Sequence, residues 1–202
     1  MKLVNQLEQT LLSSEFAQPT NSSAVNITGA IGYAVQAAVT VVAPSAKAFA
    51  TTDVDIATDA ITEAAHGYKT GLKGQFTTTT TLPAGLSLAT DYFLIAATAG
   101  TYKAATTLVN ANAGTVVNIT DQGVGTHTFT PTAIAGGTVK LQQSLDDSTY
   151  VDVASSSSNV TATANFAWSI ADAYYKYFRV VYTLTAGQVS VVTKVLVKAS
   201  VN

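Results

Sequence analysis

Apolar and polar positions alternate with a period of two over much of the chain. From Tyr33 to Val41 the odd positions Tyr33, Val35, Ala37, Val39 and Val41 are apolar, with Gln36 and Thr40 between them. Successive side chains of a strand point to opposite faces, so this spacing predicts a half-buried strand. Val139 and Leu141 alternate with Lys140 and Gln142, and Phe166, Trp168 and Ile170 with Ala167 and Ser169. Phe178, Val180, Tyr182 and Leu184 share one face, as do Val189, Val191, Val195 and Val197. Strands of this kind, parted by Gly, Asp and Ser turns, predict an all-β fold of sandwich or barrel type.

Two stretches break the pattern. In the first, Met1 to Phe16, Leu3, Leu7 and Leu11 fall four apart with Leu12 beside them. That spacing predicts one apolar face of a short helix. A helix of this length is marginal in water, so it is expected to dock on the protein's own body or on a neighbouring subunit. Pro19 to Ser23 reads as a linker. The second stretch, about Ala46 to Ala133, is dense in glycine and turn signals. Its candidate strands are Gly74 to Thr78, Tyr92 to Ala97, Thr101 to Ala104, Thr115 to Thr120 and Thr126 to Pro131. Short strands with close turns suit a small curved barrel, because closure removes exposed strand edges.

Composition narrows the function classes. Apolar residues make up 48% of the 202 and charged residues 11%, against about 25% charged in ordinary soluble domains. Either neighbouring subunits cover much of the surface, or hydroxyls and amides solvate it. A net charge of −2 and a single arginine, Arg179, argue against nucleic acid as a partner. There is no cysteine, so disulfides, zinc thiolates and thiol catalysis are excluded. Neither a signal peptide nor a membrane-spanning run is expected, and the protein is expected to be made in a cytoplasm-like compartment.

The stretch from Ala65 to Pro131 contains AHGYKTG, GQFTTTTTLPAGLSLATDYFLIA, TYKAATT, NANAGTVVNIT and GVGTHTFTP. In that order these motifs resemble a small β module that recurs in virion proteins of tailed bacteriophages. The flanking segments IGYAVQAAVT, GTVKLQQSLDDSTYVDV and FAWSIADAYYKYFRVVYT resemble a second phage module, a jelly-roll-like sandwich. In that module a tight turn joins the first two strands, whereas here about ninety residues part them. The resemblance therefore favours a jelly-roll-like β-sandwich (24–45 and 134–202) interrupted by an inserted small β-barrel (46–133), after an N-terminal helical arm and linker (1–23). The rival, two consecutive domains in chain order, would leave Tyr33 to Val42 in neither. Insertion sites need closely spaced ends.

Candidate chemistry is sparse. His66 precedes a glycine in a turn and His127 lies between two threonines. The resemblance implies that both serve the fold, and neither has zinc-ligand spacing with Asp53 or Asp121. Asp146, Asp147 and Asp152 cluster in SLDDSTYVDV, but the glycine and the regular oxygen spacing of a calcium loop are missing. Turn chemistry accounts for them first. No nucleophile elbow, phosphate loop or paired-carboxylate motif occurs, so no enzyme activity and no cofactor are expected.

The resemblance implies a structural component of the virion, whose partners are other virion proteins. A compact two-module body with an N-terminal arm suits foremost a capsid decoration (auxiliary head) protein. A neck or tail component is the alternative, as is a carbohydrate-binding module for host recognition. Leu3, Leu7, Leu11 and Leu12 are the candidate anchor to a neighbouring subunit. Tyr174, Tyr175 and Tyr177 are the candidate glycan contacts, with Trp168 nearby in sequence but expected in the core. A homo-oligomer is expected, with a trimer as one option.

Overall fold

The computed structural model describes residues 6–133, 136–171 and 173–199. In chain order it forms β1 (Gln6–Phe16), β2 (Thr20–Asn21), β3 (Val25–Asn26), β4 (Ala30–Val42) and β5 (Lys47–Ala50). A single 3-10 turn, Thr51–Asp53, leads to β6 (Val54–Asp55), β7 (Ala60–Thr62), β8 (Lys73–Thr78), β9 (Asp91–Thr98) and β10 (Thr101–Ala105). A short helix α1 (Leu108–Ala113) precedes β11 (Thr126–Pro131) and β12 (Gly137–Ser144). The chain then forms β13 (Tyr150–Asp152), β14 (Ser158–Asn159), β15 (Ala164–Ile170), β16 (Tyr177–Leu184) and β17 (Gln188–Ala199). The protein is all-β, and its recorded strand pairings are antiparallel.

One sheet runs β1-β17-β4-β15, and a second runs β13-β12-β16-β2, with β14 also on β12 and β3 also on β16. The alternation in the sequence decides how they meet. Tyr33, Val35, Ala37 and Val39 of β4 and Val189, Val191, Val195 and Val197 of β17 share one buried cluster with residues of the second sheet. Those are Val139 and Leu141 of β12 and Phe178, Val180, Tyr182 and Leu184 of β16. The Tyr33 and Phe178 rings stack 4.5 Å apart. A polar tie also crosses the core, where the hydroxyls of Tyr182 and Thr193 lie 2.5 Å apart.

The N-terminal helix expectation is corrected. Residues 6–16 form strand β1, paired along β17 from Gln6↔Lys198 to Phe16↔Val189. The register shifts between Thr10 and Leu12, so Leu11 is the extra residue of a bulge. The bulge breaks the two-residue alternation, which left the four-residue leucine spacing as the visible pattern. The long Val-rich edge of β17 offers a whole ladder of backbone partners, and tertiary pairing overrides local spacing.

The third sheet runs β5-β11-β8-β9-β10-β7-β6 and surrounds its own cluster, which includes Phe49, Ile61, Tyr68, Leu72, Phe76, Tyr92, Leu94, Tyr102, Ile119 and Phe129. Its two edge strands, β5 and β6, are joined by only the 3-10 turn. Laid flat, seven strands would separate those edges by roughly 29 Å, yet the turn spans at most about 15 Å. The sheet therefore curls until its edges approach each other.

The segment Thr115 to Thr120 is not a strand. Its amides find separate acceptors instead: Val117 on Ala104 O at 2.8 Å, Ile119 on the Asp59 carboxylate at 2.7 Å and Thr120 on Ala84 O at 3.2 Å. This pairs the backbone of the segment, in which only Ile119 is buried, without a ladder. Helix α1 lies just before it, capped by the Thr107 hydroxyl, which accepts from Asn110 N–H at 3.0 Å.

The two cores meet at Gln188, which is fully buried. Its Oε1 accepts from Lys69 N–H at 3.0 Å, and its Nε2 donates to Gly67 O at 3.0 Å and to Glu15 Oε1 at 2.5 Å. The chain passes between the cores beside Pro44 and Pro131, where Val41, Val42, Ala43, Thr132 and Ala133 border a common cleft.

Candidate interaction surface

The motif residues of the curled sheet are spent on its own turns. His66 Nδ1 accepts from Tyr68 N–H at 2.9 Å, so the ring proton sits on Nε2, which donates to Thr98 O at 3.0 Å. His127 Nε2 donates to Gln122 O at 3.1 Å, and its Nδ1 lies 2.9 Å from the Thr78 hydroxyl. Both rings are buried and pack on aromatics: His66 on Tyr68 and Tyr102, His127 on Phe49. Gly123 has φ +70°, and a Cβ there would sit 2.5 Å from Thr81 O. Gly85, in the LPAGL turn, has φ +105° with Asn118 O against it. Only glycine suits both places.

The acidic turn is similarly engaged. The Asp146 carboxylate accepts from the amides of Thr149 at 2.8 Å and Ser148 at 2.9 Å and from the Ser144 hydroxyl at 2.8 Å. Those bonds, led by the Thr149 and Ser148 amides, hold its carboxyl well below the usual range. Asp147 accepts from the Tyr150 hydroxyl. Asp152 takes Lys140 Nζ at 2.7 Å and Gln142 Nε2 at 2.9 Å, which lower its pKa in that order. Arg179 stacks over the Tyr150 ring at 3.9 Å and donates twice to Gln142 Oε1. Among the described residues no group of three His, Asp or Glu is disposed to hold a metal ion.

The candidate partner residues separate. Leu3 and the side chain of Leu7 lie outside the described residues. Leu11 is only 5% exposed and belongs to the core between the first two sheets, with Leu12 packed against it. The three tyrosines occupy the β15–β16 connection and the start of β16. Tyr174 is 83% exposed, whereas Tyr175 and Tyr177 are half-buried. Lys176 N–H donates to Ser144 O at 3.1 Å, which sets this connection beside the β12–β13 turn. There Leu145 is also exposed. Both loops lie at the end of the two sheets opposite Gln188, as the β12–β16 register requires.

Neither a family model nor a curated protein matches the chain. Among solved structures the chain is similar to VP17, a capsid protein of bacteriophage P23-77, with 98% of this chain and 99% of that chain covered. The identity is 8% and the TM-score 0.26. A score this low does not establish a shared fold.

A surface feature absent from the sequence reading lies on the outward face of the β1-β17-β4-β15 sheet. Ala34 and Gln36 of β4, Ala167 and Ser169 of β15, and Lys194 and Leu196 of β17 line a groove of about 460 Å³. Its sequence signal is the run of small residues at outward positions, Ala34, Ala38 and Ala167, where a solvated face would carry longer polar side chains. The groove is bordered on one side by β15, whose Phe166, Trp168 and Ile170 pack against the core but are only partly buried.

Proposed function

We propose that the chain is a non-enzymatic structural subunit of a tailed-phage particle, acting through contacts with other virion proteins. The observation that carries this reading is where the motif residues fall. His66, Gly85, Gly123 and His127, which belong to the motifs through which the sequence resembles a phage module, hold the turns of the curled sheet and present no open chemistry. Residues engaged in this way serve a scaffold rather than a reaction centre.

Within this reading the first two sheets form a jelly-roll-like sandwich (24–45 and 134–202), and residues 46–133 form a small barrel inserted into it. The separate buried clusters support that division, since every member of the second except Ala17 lies between Phe49 and Phe129. A capsid decoration role fits best, because low charge reduces the desolvation cost of covering such a surface with a lattice. Immunogold electron microscopy on intact particles tests it: label over the head is expected, and label confined to the neck or tail moves the protein there. Absence from purified particles overturns the virion reading.

A second reading, recognition of a host glycan, is favoured by Tyr174 alone. It is an exposed aromatic at the loop end of the sheets, where a sugar ring has room to stack. A glycan array with the wild type and Tyr174→Ala decides it, with binding lost in the variant as the supporting result.

A further inference from the structure

The edges of the sheets are unequal. The β1 edge carries Glu8, Glu15 and the bulge at Leu11. In the second sheet β2, β3, β13 and β14 are two or three residues long, and β13 bears the Asp152–Lys140 ion pair. The outer strands of the third sheet are drawn together by the 3-10 turn. Short length, charge, bulges and closure are the devices that stop strand edges from pairing with other chains.

Strand β15 has none of them. It is seven residues long, Ala164-Asn165-Phe166-Ala167-Trp168-Ser169-Ile170, with no charge and no proline. Its register with β4 is unbroken from Ala164↔Val39 to Ile170↔Tyr33, and it ends its sheet. Its far edge therefore presents regular backbone donors and acceptors beside a partly covered aromatic stripe, in which the Phe166 and Trp168 rings already lie parallel, 6.2 Å apart.

We propose that this edge pairs with the same edge of a second copy of the chain, antiparallel about a two-fold axis at Ala167. The sequence of the strand is complementary to itself in that register. Phe166 meets the partner copy's Trp168 on the core side, and Ala164 meets Ile170, small against large. On the outward side Asn165 meets Ser169, and Ala167 meets its own equivalent. All seven residues pair, aromatic–aromatic cross-strand neighbours stabilise the ladder, and no like charges oppose each other. A two-fold contact of this kind is isologous, as closed dimers require. The proposal is independent of any place on a particle.

Ala167 is outward and exposed, so its substitution spares the core. Ala167→Lys and Ala167→Glu each place like charges face to face across the axis. Sedimentation velocity on the wild type is expected to show a dimer, and each variant is expected to self-associate at least about tenfold more weakly. An equimolar mixture of the two variants should restore the dimer. Trp168, the only tryptophan, provides a second readout, with its emission shifting to the blue as wild-type dimers form and staying red in the single variants. A monomeric wild type, single variants that dimerise undiminished, or a mixture that fails to re-associate each overturn the proposal.

Discussion

The side-chain amide of Gln188 fastens onto the backbone of Lys69, accepting its N–H at 3.0 Å, and the same amide donates to Gly67 O and Glu15. Gln188 opens β17, whereas Gly67 and Lys69 belong to the HG turn of the curled sheet, so one buried amide joins two cores. Lys69 Nζ adds an ion pair to Glu15 at 3.4 Å, partly exposed and worth little by itself.

Gln188→Ala would remove the side-chain partner of the Lys69 amide and the Gly67 carbonyl, two part-buried groups that water can reach. Each lost hydrogen bond is worth about 0.5–1.5 kcal/mol, so urea unfolding should show a loss of about 1–3 kcal/mol. An unchanged midpoint would mean that water replaces the side chain and that the two cores are coupled elsewhere.

Leu11→Ser tests the role of β1. A leucine this deep in a core costs about 2–5 kcal/mol when truncated, and a hydroxyl adds a desolvation cost. Thermal melting should therefore drop markedly. Full retention of stability would return Leu11 to the role of an external anchor.

This residue also shows where the sequence was and was not legible. Tyr33 to Val39, Phe178 to Leu184 and Val189 to Val197 are buried at the positions that period two assigns, because regular strands between two sheets keep one face dry. At Leu11 one bulge inverts the parity, and a strand takes on the spacing of a helix face. Thr115 to Thr120 misleads differently: its β-branched residues suit a strand, but its amides answer to scattered acceptors that no local pattern encodes. The short strands β5, β6 and β7 carry too few residues for any period to register. The groove around Ala34 and Ala167 eluded the reading because sequence patterns announce what is buried, not what is left thinly covered.

Alkaline pH should weaken the fold. Burial pushes the Tyr33 phenol up to about 12, and burial, opposed by the bond to Thr193, pushes Tyr182 up to about 12. A phenol whose pKa is higher in the fold than in the unfolded chain holds its proton more tightly when folded. Its contribution is complete below about pH 10 and is withdrawn as the pH climbs toward 12. Chemical unfolding at pH 9, 10.5 and 11.5 should show a falling midpoint over that window, and the fall should be shallower in Tyr182→Phe. A flat profile would mean that neither phenol is shielded.

Zinc should leave the protein indifferent. With His66 and His127 each bonded through both ring nitrogens to groups of the fold, millimolar zinc is expected not to raise the melting temperature. His127→Ala, by contrast, should lower it, since the ring fills a buried site on Phe49. A melting temperature that rises with zinc and loses the rise in His66→Ala would reveal a metal site instead.

The paired connectors beside Pro44 and Pro131 have a mechanical consequence. A body hung from one covalent tether swivels about it, and a pull reaches its host through a single strand. Here the curled sheet is held by two chain crossings side by side and pinned by an amide a short way off. Torque is therefore resisted, and tension divides between β4, which ends at Val42 in one sheet, and β12, which begins at Gly137 in the other. A shearing load on the curled sheet would thus be shared between the two sheets to which it is joined.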